Sequence, residues 1–305
     1  MMFSLMSLEV KSMYDLVSLT KRHVLIFLRD KTAVFFSFLS VLILLALYFL
    51  FIGRQYTGGS EFDFLDPGMK TYMTAGIMMG GILIINTASL SLGMMGNLIN
   101  DLVQRKLDGF LVTPVKRYKI IMSYYIAAIM VTAVLSLFMW FLTVLYVGIS
   151  SGYWYSLKAV LTASVLVVFF TFISSTLMIA LTTMIKSINA FGALSGILGT
   201  FIGFTSGIYI PLFVLGKTMT YVASVIPFTH MAIILKNVLL EGPYEILAQS
   251  IPPSGMAEIE IAFGTKEIGV LGMDVSMWII MLASMVLAFI LLFVAYRNMN
   301  KKMGK

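Results

Sequence analysis

Residues 72–96 read YMTAGIMMGGILIINTASLSLGMMG. These 25 residues include no Asp, Glu, Lys or Arg. A helix crossing a hydrocarbon core of about 30 Å needs about 20 apolar residues. The stretch therefore predicts a membrane-crossing helix, because irregular backbone facing lipid would leave its polar groups unpaired. Working outward, five more charge-free stretches run at 33–52, 120–148, 159–185, 188–214 and 275–296. The expectation is an all-α integral membrane protein, one transmembrane unit over 1–305 with six transmembrane helices. Composition agrees. The chain is 60% hydrophobic and 11% charged, against roughly half and a quarter in soluble domains. No cysteine is present, which excludes disulfides and thiolate metal sites. The two histidines, His23 and His230, lie too far apart in sequence to suggest a metal site. Glu9, Lys11 and Asp15 interrupt the first residues, so no cleavable signal peptide is expected.

Charge sets the orientation. With six spans and both termini inside, 15 basic and five acidic residues face the cytoplasm, a net +10. Six basic and nine acidic residues face outside, a net −3. That is the positive-inside bias. It explains the overall +7 without a nucleic-acid partner. The segment 218–240 is long enough to span but holds Pro227, His230 and Lys236. A seventh span there would reverse the bias. It reads instead as re-entrant, or as short outer helices, within an extracellular segment 215–274. There GMAEIEIAFG, 255–264, alternates as a short strand or hairpin would. The loop 53–71, with Gly58-Gly59, Glu61, Asp63 and Asp66-Pro67-Gly68, reads as a turn-rich outer connection. Tyr153, Trp154 and Tyr155 suit an interfacial aromatic belt.

Two inner segments are amphipathic. Residues 12–31 place Leu16, Leu19, His23, Ile26 and Phe27 at helical spacing, with Lys21, Arg22 and Arg29 between them. This predicts an interfacial helix whose cations meet anionic lipid. His23 is expected to pack at the interface, without catalysis. Residues 97–114 predict a short cytoplasmic helix, with Asp101 and Arg105 as an i,i+4 pair. Gly109 interrupts it, and Pro114 disfavours helix at Thr113.

These segments resemble the membrane subunits of ABC-2 type exporters, the permeases of drug- and antimicrobial-resistance systems. The likeness is carried by LTKRHVLIFLRDK at 19–31 and QRKLDGFLVTPVKRYKII at 104–121. Ser206-Gly207 followed by Pro211, and Ile226-Pro227-Phe228-Thr229-His230 followed by Lys236-Asn237, extend it. Two positions depart: Leu107-Asp108 stands where many members have Glu, and Lys236 where they have Arg. The resemblance implies a multi-pass protein of a cell membrane, the bacterial cytoplasmic membrane in particular. It implies a second permease copy and two copies of a cytoplasmic ABC ATPase, which would hold the ATP and Mg. The chain itself is expected to bind no cofactor. Its one Walker-like fragment, Gly216-Lys217-Thr218, has Pro211 where the first glycine belongs. The ATPase would dock on 97–114 and the N-terminal helix. Asp101, Arg105, Lys106, Gly109, Phe110, Thr113 and Pro114 are expected to form the coupling surface.

The resemblance further implies that spans two and five line a cavity between the two copies. Span five carries Gly192, Gly196, Gly199, Gly203 and Gly207 on one helical face, a packing surface within or between subunits. Ser195, Thr200, Phe204, Thr205 and Ser206 lie beside it, and span two contributes Asn86 and Thr87. Interhelical hydrogen bonding is the other role open to Asn86. Gly76 and Gly80 form a small-xxx-small pair in span two. The 24 methionines are scattered, as gap-filling thioethers are. Spans without charge disfavour proton coupling and intramembrane catalysis, and favour a hydrophobic or amphipathic cargo. Two other readings remain open: export of a lipid-linked glycan or another envelope precursor, and a non-transporting sensor or scaffold.

Overall fold

The computed structural model describes residues 2–47 and 62–303. The end of span one (48–52) and the loop residues Gly58, Gly59 and Glu61 lie outside them. Helices follow one another as α1 (Met2–Arg29), α2 (Lys31–Leu47), α3 (Pro67–Val103), α4 (Lys106–Leu111), α5 (Arg117–Ser151) and α6 (Leu157–Met184). Then come α7 (Ile188–Thr205), α8 (Gly216–Ala223), α9 (Pro227–Ser250), α10 (Pro253–Phe263) and α11 (Met277–Met303). The chain is an all-α integral membrane protein. Five of these helices are long and apolar enough to cross a membrane, and a sharply bent pair makes a sixth candidate. α2 is helical up to Leu47, the last residue described before the break.

The stretch 72–96 sits inside α3, 37 residues and about 55 Å at 1.5 Å per residue. Its most apolar window is 89% buried, against 17% for α7 and for α11. α3 is therefore the central post, and α7 and α11 are the perimeter. The post starts cleanly. Pro67 occupies the first helical turn, where a missing N–H costs nothing, and Asp66 caps it. The carboxylate accepts from the amides of Gly68 (2.9 Å) and Met69 (3.1 Å) and from the Tyr153 hydroxyl (2.9 Å). Those bonds, the Tyr153 one foremost, hold it below the usual carboxylate range.

Gly76 and Gly80 seat a helix of the same chain. A Cβ on Gly80 would lie 2.8 Å from Lys236 N and 2.9 Å from its Cα. A Cβ on Gly76 would meet Leu239 O at 3.3 Å. That carbonyl is the one whose helical donor Pro243, inside α9, cannot supply. The small residues thus let α9 lie almost backbone to backbone on the post.

Segment 218–240 resolves into α8 and α9, bent by 94° around Ser224–Ile226. Pro227 opens α9 and pushes Ile226 into the extended region (φ −92, ψ 121). Span five is shorter than expected. α7 ends at Thr205, and Gly207 turns the chain at φ +64. The expected strand at 255–264 is helix α10. Its alternation hid a helical period: Ile259 and Phe263 are buried four residues apart, Pro253 starts the helix and Gly264 ends it left-handed. Among the described residues the only β pairing is one bridge, Val270 to Met273. Of the expected aromatic belt, only Trp154 is exposed. Tyr155 is buried against Trp140 and Tyr72.

Candidate functional site

At the end that the charge bias assigns to the cytoplasm, α1 packs against α5 and α3 through its Leu19, Thr20, His23 and Phe27 face. The opposite stripe, Met13, Tyr14, Val17, Leu25 and Leu28, is exposed and apolar. The N-terminal helix thus has a protein face and a face suited to lipid. It begins well before residue 12.

The joint between α1 and the bundle is polar and buried. Asp101, 4% exposed, accepts from Arg22 Nη1 at 3.0 Å and from the Tyr124 hydroxyl at 2.6 Å. Lys106 Nζ stands 3.9 Å from its other oxygen. The Arg22 guanidinium also lies over the Phe110 ring, 5.2 Å from the centroid. His23, 1% exposed, stacks on Tyr124 with centroids 3.7 Å apart. Ser123 Oγ gives its proton to Ile120 O (2.7 Å), so it accepts from His23 Nε2 (3.1 Å). His23 Nδ1 then accepts from Arg22 (3.2 Å). Burial, and next the Arg22 cation, push the imidazole down to about 3, with Asp101 opposing. The ring is neutral, with its tautomer fixed by its neighbours. A second pair, Lys119 to Asp15 at 2.8 Å, ties the same helices.

Several expectations change here. Residues 97–103 continue α3, and the separate short helix is α4 alone. The Asp101–Arg105 pair does not form. The chain turns at 104–105, with Arg105 left-handed at φ 54, so Asp101 faces inward to Arg22. Asp101 is a buried tie, turned to partners within the subunit and away from the surface. Arg22 belongs to the same tie and is half-buried, whereas Lys21 and Arg29 are exposed. Arg105, Lys106, Gly109, Thr113 and Pro114 are exposed, and Phe110 is half-buried. α4 also touches α11, whose Lys302 ammonium donates to Ile185 O at the end of α6. Sequence reasoning missed Tyr124, Ser123 and the role of His23, which sit inside apparently plain apolar stretches. The one available signal was a histidine on the apolar face of an otherwise cationic helix.

The expected path residues separate into two groups. Asn86 and Thr87 are wholly buried within the subunit. Asn86 Nδ2 donates to Ser136 on α5 (3.1 Å), and Thr87 bonds Ser174 on α6 (3.0 Å). Ser91 continues the seam to Thr132 and Ser175. These hydroxyls and the amide fasten α3, α5 and α6 together and do not line a path in this subunit. Thr205 and Ser206 are also buried, with Thr205 O accepting from Thr229 on α9 (2.8 Å). Thr200 is exposed on α7, and Ser195 and Phe204 are half-buried there. The five glycines do not share one surface. Gly207 lies beyond the helix, and Tyr209 folds over Gly203, where a Cβ would meet its ring at 2.0 Å. Beside Gly192, Gly196 and Gly199 a Cβ would meet nothing within 4 Å. Among the described residues no atom closes over that side of these three.

Among the described residues no group of three or more His, Asp or Glu side chains could hold a metal. The fragment 216–218 forms the start of helix α8 and not a phosphate-cradling loop. A search of curated proteins gives no match. The profile of the ABC-2 type transporter family matches residues 14–240, from the interfacial helix through α9 to Leu240. That match covers about three quarters of the chain and includes the Arg22–Asp101 tie, α4 and the α7 glycines. The chain belongs to the ABC-2 type transporter family and is a multi-pass permease component of an ABC transporter.

Proposed function

We propose that this chain is the membrane half of an ATP-driven exporter, in which two identical copies flank the path and two cytoplasmic ATPase subunits supply ATP and Mg. The cargo is a hydrophobic or amphipathic molecule: a drug, an antimicrobial peptide or a lipid-like compound. The membrane is the bacterial cytoplasmic one. The observation that carries this reading is the Arg22–Asp101–Tyr124 tie directly above the exposed α4. The ATPase grips α4 at Arg105, Lys106, Gly109, Thr113 and Pro114. Displacement of α4 cannot be absorbed locally, because Asp101 closes the bundle's central post and Tyr124 opens α5. Motion passes to both helices and to α1 together. ATP then shifts the transporter only as far as the ATPase binds one position of α4 better than the other.

The open glycine face of α7 supports the pairing. Gly192, Gly196 and Gly199 leave room for a neighbouring helix to approach closely. Thr200 borders the same face, and the second copy completes the wall there.

Charge reversal of Arg105 is the direct test of docking. The expected outcome is loss of ATPase co-purification with unchanged permease folding. Intact co-purification and transport would remove α4 as the docking surface. ATP hydrolysis by the reconstituted complex, stimulated by a panel of amphipathic compounds, identifies the cargo class.

A further inference from the structure

A crevice between α8 and the outer end of α11 takes no part in this transport scheme. Its mouth is a cavity of about 400 Å³ bordered by Lys217, Tyr221, Ile268 and Asp274. A second cavity of about 260 Å³ shares Ser224 with the first and is walled by Val225, Val270, Met273, Ile280 and Leu287. A narrow gap continues beside Pro227 and Ser284 to Ile173 and Leu291.

The walls are held in place. Ser224 Oγ accepts from Leu271 N at 3.1 Å and donates to Tyr221 O at 2.7 Å. This pins α8 to the turn 270–273, which is closed by the Val270–Met273 bridge and shaped by left-handed Leu271 and Gly272. Asp274, just after the turn, therefore stands in fixed relation to Lys217 on α8. Both side chains are exposed, and neither has an ion-pair partner among the described residues.

An unpaired cation and an unpaired anion thus share one mouth, and an apolar slot opens beneath them. This pattern complements a zwitterionic amphiphile. We propose that the crevice seats one phospholipid carrying a phosphate and a primary ammonium, of the phosphatidylethanolamine type. Lys217 meets the phosphate, Asp274 accepts from the ammonium, and one acyl chain lies along α11 past Ile280 and Leu287. A quaternary ammonium, with no N–H to donate, would gain less from Asp274.

The test uses the full chain in vesicles containing a photoactivatable phosphatidylethanolamine, with the matching phosphatidylglycerol probe in parallel. Labelling of 213–225 and 277–291 is expected with the first probe. It should fall about fivefold in Lys217→Glu and in Asp274→Lys, the scale of one exposed charge contact. Asp274→Lys should gain labelling by the anionic probe. If either variant folds poorly by its melting temperature in detergent, Lys217→Gln and Asp274→Asn carry the same readout. Equal labelling by both probes in the wild-type chain, or labelling unchanged in the variants, would overturn the proposal and leave only ordinary annular lipid. The labelling needs neither ATP nor an ATPase subunit, so its failure and the failure of the transport reading are separate events.

Discussion

Asp101 shows how far a single residue can be read from sequence. Its charge, next to a basic cluster and before a proline, marked it as functional. Its partner was assigned to Arg105 because helical spacing is the only proximity a sequence displays. The actual partner, Arg22, is 79 residues away. Tyr124 gave no signal, since a hydroxyl at the edge of a span reads as one more aromatic. Removing the carboxylate strands a guanidinium and a phenol at a buried joint. Asp101→Ala should cost about 2–4 kcal/mol, read as a melting-temperature loss in detergent. Asp101→Asn, which still accepts from Tyr124, should cost less. His23 adds a pH dependence. Its folded value of about 3 lies below its ordinary 6.5. The unfolded chain therefore binds a proton between those values that the folded chain refuses. Stability from this site is complete above pH 6.5 and falls as pH drops toward 3, by at most about 1.4 kcal/mol per unit. His23→Asn should flatten that part of the melting-temperature profile between pH 6.5 and 4. An unchanged profile would remove His23 from the joint.

At the scale of elements, the legible features were those that need only one helix. Charge-free length pointed to the long apolar helices α3, α5, α6, α7 and α11, although α7 stops at Thr205, and Pro227 marked a bend. Which surface a small residue serves was not legible, because Gly80 and Gly196 look alike in sequence. In the structure one is pressed against Lys236 backbone and the other faces open space. The two should respond differently. Gly80→Ala forces α9 off the post and should destabilise the permease by about 1–3 kcal/mol, seen as a lower melting temperature. Gly196→Leu should leave the isolated permease as stable as the wild type. It should weaken association of two copies, read by cross-linking yield or sedimentation in detergent. A Gly196→Leu chain that dimerises normally would place the subunit interface elsewhere. The α10 region marks the limit of pattern reading. GMAEIEIAFG satisfies period two and a helical period at once, and only the flanking Pro253 and Gly264 separate them.

For the whole molecule, the charge asymmetry and the structure meet at one end. The basic inner surface carries the exposed α4, the α1 helix and the Lys302 contact, and these converge on the ends of α3, α5 and α6. The account holds that α1 and α4 move as one body with the end of α3, because Asp101 of α3 pairs with Arg22 of α1 and with Lys106 of α4, and Arg22 covers Phe110 of α4. The direct measurement is cargo transported per ATP hydrolysed, in vesicles holding the permease with its ATPase subunit. Arg22→Asp and Asp101→Arg are compared singly and together. Each single change should leave ATPase docking in place and lower the ratio several-fold, and the double exchange should recover a large part of it. Single variants that transport with the wild-type ratio, while the complex stays assembled, would contradict the account.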